Sequence, residues 1–424
     1  MTLVIKGGRI IDRDGERVVD VVIDNGVIAE VGTNLSGDRT LDAIGCIVSP
    51  GFVDLHTHLR EPGREEAETV ETGSRAAALG GYTAVVAMPN TEPTQDSIAV
   101  VNLVRSLGER AGLVEVMPAG AITIERAGKQ LAPFAELAAA GVTLFTDDGN
   151  GVQDPLLMRR AMEYSLGLGI TLAQHCEVSR LTDGAVMNEG SCCSHLGLPG
   201  WPRIAEELMV FRDIELARLT GASIHLLHLS TSRSVELVRA AKADGVTVTA
   251  EATPHHFTLT DETLRSFDSV FKVNPPLRTM ADIEAIKAGL RDGTIDAIAT
   301  DHAPHPQESK EQPLDQAPPG MLGLETALSL ALGELDLDLL QTIALLSWKP
   351  AAIARLGARH GGPIAIGRPA NVTVFDPDLS WTVKPSLLAS KSRNTPYTGR
   401  TMRGKVRHTI FNGDPVVVDG TAQR

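Results

Sequence analysis

The sequence predicts an α/β protein, a (β/α)8 TIM-like barrel with a small β-sandwich domain that both chain termini build. Three observations predict it. Short apolar runs alternate with helical periodicity through the middle of the chain, both ends read as β-structure with Asn-Gly turns, and polar residue types cluster where the apolar runs end.

Near the N-terminus, VVIDNGVIAEV carries Asn25-Gly26 between two apolar strands. This is a hairpin signal, because both turn positions favour positive φ. The C-terminal stretch has the same texture: ANVTVFDPDLSWTV, then KVRHTIFNGDPVVVDG with a second Asn-Gly at 412–413. The division expected is 1–50 and 361–424 as the two parts of the small β domain, and 51–360 as the barrel.

Within the barrel segment the strands expected are 47–54, TAVVAM (83–88), LVEVMPAG (113–120), VTLFTD (142–147), ITLAQH (170–175), SIHLLHLS (223–230), VTVTAEA (246–252) and IDAIATD (295–301). Helical periodicity fills the stretches 97–112, 154–169 and 232–245, each closing on Gly, a frequent C-terminal stop. Eight such repeats are what a closed barrel requires. No GxGxxG turn follows the first strand to favour an open doubly wound sheet.

Composition narrows the function. The 39 basic against 53 acidic side chains, a net charge of −14, argue against a general binder of nucleic acid or anionic membrane. Cys46, Cys176, Cys192 and Cys193 are too few and unpatterned for a disulfide framework. The start, MTLVIKGGRI, lacks the parts of a signal peptide, and no apolar run is long enough for a membrane helix. A cytoplasmic protein is the expectation.

In a barrel of this kind active sites form at the C-terminal ends of the strands. GFVDLHTHLREPG (51–63) places His56 and His58 two apart, so both point the same way from a strand end, as two ligands of one divalent metal would. Arg60 beside them suits a carboxylate held bidentately. Further strand ends supply Asn90, Asp147 with Asp148, His175, His228, and Asp301 followed by His302 and His305. Any one of these has an ordinary explanation, a hydrogen-bonded loop histidine or an aspartate capping a helix. Four histidines and two aspartates at the mouths of five strands point jointly to a metal site. Alternation lets only one of Asp147 and Asp148 enter the mouth, leaves His225 as a structural residue within its strand, and turns Cys176 away. His255 and His256 read as loop residues behind the site.

Taken together, GFVDLHTHLREPG, MPNTEPT, FTDDG, HCE, LGLPG, HLLHLST, VNPPLR, TDHAPH and SKSRNTP resemble the class I (bacterial-type) dihydroorotases of the amidohydrolase superfamily, over nearly the whole chain. HxH alone would reach only the superfamily; DHAPH with REPG, MPN and NPPLR narrows it. The resemblance implies reversible, metal-dependent cyclisation of N-carbamoyl-L-aspartate to (S)-dihydroorotate in pyrimidine biosynthesis. It implies two zinc ions, one held by His56, His58 and Asp301, the other by His175 and His228, with Asp148 bridging. Asp301 would also be the catalytic acid–base group. His58, Arg60, Asn90, Asn274, His305 and the backbone at Pro319 and Gly320 would contact substrate. VTLFTDDGN has no lysine, a departure from the hydantoinase and allantoinase pattern, in which a carboxylated lysine bridges the metals.

Alternatives stay open: another cyclic amidohydrolase, a mononuclear deaminase of the same superfamily, or a weakly active scaffold subunit of aspartate transcarbamoylase. The partner expectations are a small-molecule substrate, no nucleic acid, no membrane, a homo-oligomer, and association with aspartate transcarbamoylase left open. The polar, proline-rich HPQESKEQPLDQAPPG (305–320) reads as a lid with His305 at its base. The basic 390–407 reads as a solvated face of the β domain.

Overall fold

The computed structural model describes residues 1–424. Eight parallel strands run through its middle: β1 (Phe52–Thr57), β2 (Tyr82–Ala87), β3 (Glu115–Pro118), β4 (Leu144–Phe145), β5 (Thr171–Gln174), β6 (Ile224–Leu226), β7 (Val248–Ala252) and β8 (Ala297–Ile298). They form two parallel sheets, in the order β3-β2-β1 and β4-β5-β6-β7-β8. Isolated parallel bridges cross both gaps: Gly120, just past β3, pairs with Phe145, and Thr57 pairs with His302, just past β8. Every residue of β1, β2, β5 and β6 is buried, which is why these strands read as apolar runs with little alternation.

Helices follow the strands, and their ends obey local chemistry. In Ile98–Ala111 the buried residues Val100, Val101, Val104 and Leu107 form one stripe, and Gly112 closes it with φ 62°. Asp154 accepts hydrogen bonds from the backbone of Leu156 and Leu157, with Pro155 in the first turn. That helix stops at Ser165, four residues before the glycine that the periodicity suggested, because Leu166 leaves helical geometry with ψ 127°.

The stretch 47–54, expected as one strand, is two. Ile47–Pro50 pairs antiparallel with Val372–Phe375 in a sheet of terminal segments, and β1 begins only at Phe52. The break is at Gly51, where a Cβ would lie 2.2 Å from the Thr83 hydroxyl.

The termini build a four-stranded sheet from residues 3–42 and a seven-stranded one that interleaves 9–18 and 47–50 with 372–422. Leu3, Ile5, Ile10, Val21 and Ile23 share one apolar core with Ile364, Val372, Val374 and Ile410. Both expected hairpin turns form, with positive φ at Asn25-Gly26 and Asn412-Gly413. In the basic segment, Arg403 is exposed and Arg407 half-buried, and they pair with Asp378 and Asp419. Its first residues behave otherwise: Ser390, Ser392 and Asn394 are buried. No helix is long and apolar enough to cross a membrane.

Candidate metal centre

His56 lies in the last turn of the β1 pleat and His58 just beyond it, while Thr57 between them points away and donates to the Val86 carbonyl. Both imidazoles converge on Asp148, which follows β4. Asp148 Oδ1 lies 3.3 Å from His56 Nε2, 3.4 Å from His175 Nδ1 and 3.6 Å from His228 Nε2, and its Oδ2 lies 3.5 Å from His58 Nε2. Asp301 Oδ1 lies 3.0 Å from His58 Nε2 and 3.5 Å from His56 Nε2. Two ligand triplets share one aspartate: His56, His58, Asp148 and Asp148, His175, His228. All are buried.

The donor set fits divalent metal. Bonds of about 2.1 Å in a tetrahedron put ligand atoms about 3.4 Å apart, and the separations around Asp148 cluster at that value. His56 Nε2 is buried and has no hydrogen-bond partner, an expensive arrangement unless something sits opposite the lone pair. Burial alone would depress His56, but the charges of Asp148 and Asp301 outweigh it and hold the imidazole well above its usual pKa. Burial likewise opposes ionisation of Asp148, and the His56 charge with hydrogen bonds from His175 and His228 keeps its carboxyl well below the carboxylate range. An ion at the centre would supply the positive charge these carboxylates call for. Three residues here adopt left-handed backbone without being glycine: His228 (φ 29°), Asp301 (φ 47°) and Arg60 (φ 64°), a concentration of local strain that surrounding structure must hold in place.

Three of the four inward histidines are aimed from behind. His56 Nδ1 lies 2.9 Å from Glu251, His58 Nδ1 lies 3.0 Å from Asn90 Oδ1, and His175 Nε2 lies 2.9 Å from Glu177. These partners fix which ring nitrogen carries the proton and leave the other as a ligand.

A cavity of about 250 Å³ opens over the cluster, lined by His58, Asp148, His175, His228 and Asp301 on its floor. The predicted contact residues Arg60, Asn90, Asn274, His305, Pro319 and Gly320 all line it as well. Arg60 is buried and donates through Nε to the Pro304 carbonyl at 3.1 Å. Burial and the neighbouring Arg64 lower its pKa to about 10, so it stays a cation at neutral pH. His305 Nε2 donates to the Pro319 carbonyl at 2.8 Å, tying the base of the 305–320 segment to its far end. That segment contains one helical turn, Gln307–Lys310.

Of the residues outside the ligand set, Asp147, His225, His256, His302 and Cys176 bond elsewhere, and His255 Nε2 is buried without a partner. Asp147 turns away and accepts from the backbone of Ile122 and Thr123. His225 stays in its strand, between Thr249 and Glu251. His256 bonds Thr253 and the Pro275 carbonyl, His302 pairs with Glu68, and the Cys176 thiol bonds the Gln174 carbonyl. Four residues that matter were not singled out in the sequence: Glu251, Glu177, Arg64 at the cavity rim, and Asn394, which bonds His305, Ala303 and Gly320. Glu251 did leave a signal, a lone charge within the apolar run VTVTAEA; Glu177 stood two positions after His175 in HCE.

Histidines and aspartates gathered at the ends of parallel strands, beneath a cavity with a buried arginine, make a candidate metal-dependent enzyme site. Residues 45–234 match the family model described as dihydro-orotase-like. The chain is 50% identical over 424 residues to a dihydroorotase of Streptomyces coelicolor, covering 98% of each chain. It is 49% identical over 434 residues to a dihydroorotase of Mycobacterium tuberculosis, covering 99% of each. Among solved structures, an L-hydantoinase from Arthrobacter aurescens shares the fold with a TM-score of 0.88 at 23% identity, over 100% of this chain and 97% of that one. The chain belongs to the dihydroorotase family.

Proposed function

We propose that this chain interconverts N-carbamoyl-L-aspartate and (S)-dihydroorotate, with uptake or release of water, as a zinc enzyme. The observation that carries this is the meeting of five buried metal-ligating side chains and Asp301 beneath one cavity that also holds Arg60. His56, His58 and Asp301 would hold one zinc ion, His175 and His228 a second, with Asp148 between them. Bound divalent zinc supplies Lewis acidity, polarising a carbonyl and acidifying water.

The chain's own residues account for the rest. Arg60, a cation held by the Pro304 carbonyl, binds a substrate carboxylate, and its charge draws an anion into an otherwise acidic protein. Asn90 offers its amide beside it. For hydrolysis, Asp301 takes the proton lost by the attacking water and delivers it to the ring nitrogen as the amide C–N bond breaks. For cyclisation, the ureido nitrogen gives its proton to Asp301 as it attacks the β-carboxylate carbon, and one carboxylate oxygen, taking that proton and a second from solvent, leaves as water.

Three further parts belong to the proposal. The two parallel sheets, bridged at both gaps, are read as one closed (β/α)8 barrel over 51–360, with 1–50 and 361–424 as a β-sandwich domain. Four buried, unpaired cysteines favour a cytoplasmic location. Homo-oligomerisation, and association with aspartate transcarbamoylase, would show in light scattering of the protein alone and mixed with that enzyme.

The decisive experiment measures zinc per chain and, on the same sample, interconversion of the two compounds by ultraviolet absorbance. Turnover in the wild type and its loss in a folded Asp301→Ala variant is the expected result. A zinc-loaded wild type inert toward both compounds would refute the activity.

A further inference from the structure

Two asparagines face the cavity, and each is gripped from behind so that only one end of its amide can turn inward. With its Nε2 turned to the metal of the function proposed above, His58 would carry its proton on Nδ1 and donate it to Asn90 Oδ1. Asn90 therefore presents its NH2 to the cavity. Asn274 is gripped in the opposite sense. Its Nδ2 donates to Glu177 Oε2 at 3.2 Å. His175 Nε2 meets the same oxygen at 2.9 Å, and the Thr182 hydroxyl donates to Oε1.

A carboxylate only accepts hydrogen bonds. Glu177, with three donors around it, leaves the Asn274 amide a single orientation. Asn274 Oδ1 is then left buried with no partner in the protein, in a side chain that lines the cavity. A buried acceptor without a donor is costly, and a ligand that brings an N–H removes that cost.

We propose that Glu177 is a specificity-determining positioning residue: by locking Asn274 as an acceptor, it makes this wall of the cavity select substrates that present an N–H there. Resting on the function proposed above, this assigns Asn274 to the ureido nitrogen of carbamoyl aspartate and the ring N–H of dihydroorotate. Asn90, with Arg60, reads the opposite polarity, that of a carboxylate. The selection extends through His175, because the proton it donates to Glu177 is on the nitrogen facing away from Asp148.

The test compares binding of N-carbamoyl-L-aspartate with that of N-acetyl-L-aspartate, in which a methyl group replaces the ureido NH2. Calorimetry and zinc content are measured on the same samples. The wild type should favour the carbamoyl compound at least about tenfold, the worth of one buried hydrogen bond. In Glu177→Ala both acceptor oxygens are gone, so the Asn274 NH2 is no longer held and either end of the amide can turn into the cavity; the preference should fall to about one while zinc is retained. Asn274→Leu should abolish the preference without touching His175. An unchanged preference in both variants overturns the proposal. So does a Glu177→Ala protein that loses zinc and binds both compounds equally weakly while Asn274→Leu keeps the wild-type preference, since Glu177 would then serve the metal alone. A wild type that neither binds nor converts carbamoyl aspartate strikes the function itself, a result distinct from either.

Discussion

The Glu251 carboxylate sits 2.9 Å from His56 Nδ1, across 195 positions of sequence, with both side chains fully buried. Its other oxygen lies 3.0 Å from His225 Nε2. Burial pushes the Glu251 carboxyl up, but hydrogen bonds from His225 and His56 outweigh it and bring its pKa down to about 2. The group is therefore ionised at neutral pH and keeps the His56 proton on Nδ1. Glu251→Gln preserves the shape and removes the charge. The expected outcome is a 10- to 100-fold loss of zinc affinity, on the order seen when such supporting carboxylates are removed, measured by competition with a chelator. The far-ultraviolet spectrum should not change.

Arg60 is a test of geometry against charge. Its guanidinium is held by the Pro304 carbonyl and lines the cavity that Asn90 also lines. Arg60→Lys keeps the cation but loses the planar fork that pairs with both oxygens of a carboxylate. KM for carbamoyl aspartate should rise by about 10-fold or more, the effect of one lost charged hydrogen bond, with kcat changed far less. Equal falls in kcat and kcat/KM would instead mean that Arg60 acts only in the transition state.

The segment 305–320 lines the cavity at both its ends and is tied down by a half-buried lysine. Lys310 Nζ donates to the Pro318 carbonyl at 2.9 Å and the Gly320 carbonyl at 3.3 Å, bracketing Pro319. Burial first, then the Lys272 charge, lowers the Lys310 pKa to about 7. Lys310→Met should loosen the Pro318–Gly320 backbone and raise KM by about 10-fold, the cost of losing one or two hydrogen bonds. Deletion of 308–316 is the harsher check. If steady-state rates survived that deletion, the segment would have no role as a lid.

These cases also show where a single sequence stops being legible. The candidate ligands His56, His58, Asp148, His175, His228 and Asp301 stood out because each lies at or just past the end of a strand, where periodicity bears on which way a side chain points. The same rule set His225 aside and admitted only one of Asp147 and Asp148; the resemblance, not the rule, chose Asp148. Glu251 and Glu177 could not be assigned, because their partners His56 and Asn274 lie 195 and 97 positions away and no local pattern encodes that meeting. The split of 47–54 at Gly51 escaped notice for a similar reason: the clash that demands glycine is with Thr83, on the next strand. Asn394 stood in a quoted motif but in a basic segment, where a solvated face was the natural expectation.

Glu115 gives a prediction about stability and its pH dependence, independent of catalysis. It opens β3 and accepts from Arg359 at 2.7 Å and from His360 at 2.7 Å, pinning the strand to the segment that leads into the C-terminal sheets. Burial pushes its carboxyl up, but the hydrogen bonds from His360 and Arg359 prevail and lower the pKa from 4.5 to about 2. A carboxylate whose pKa falls on folding adds stability that is complete above the unfolded value and disappears as pH drops through the folded one. For Glu115 that window runs from about pH 4.5 down to about pH 2. Glu115→Gln should therefore lower Tm at pH 7, and the gap between variant and wild type should close as the pH falls through that window. Thermal unfolding of metal-free protein in a chelator isolates the effect, because acid also releases metal from histidine ligands. A gap that stayed constant down to pH 2 would mean that Glu115 contributes packing rather than charge.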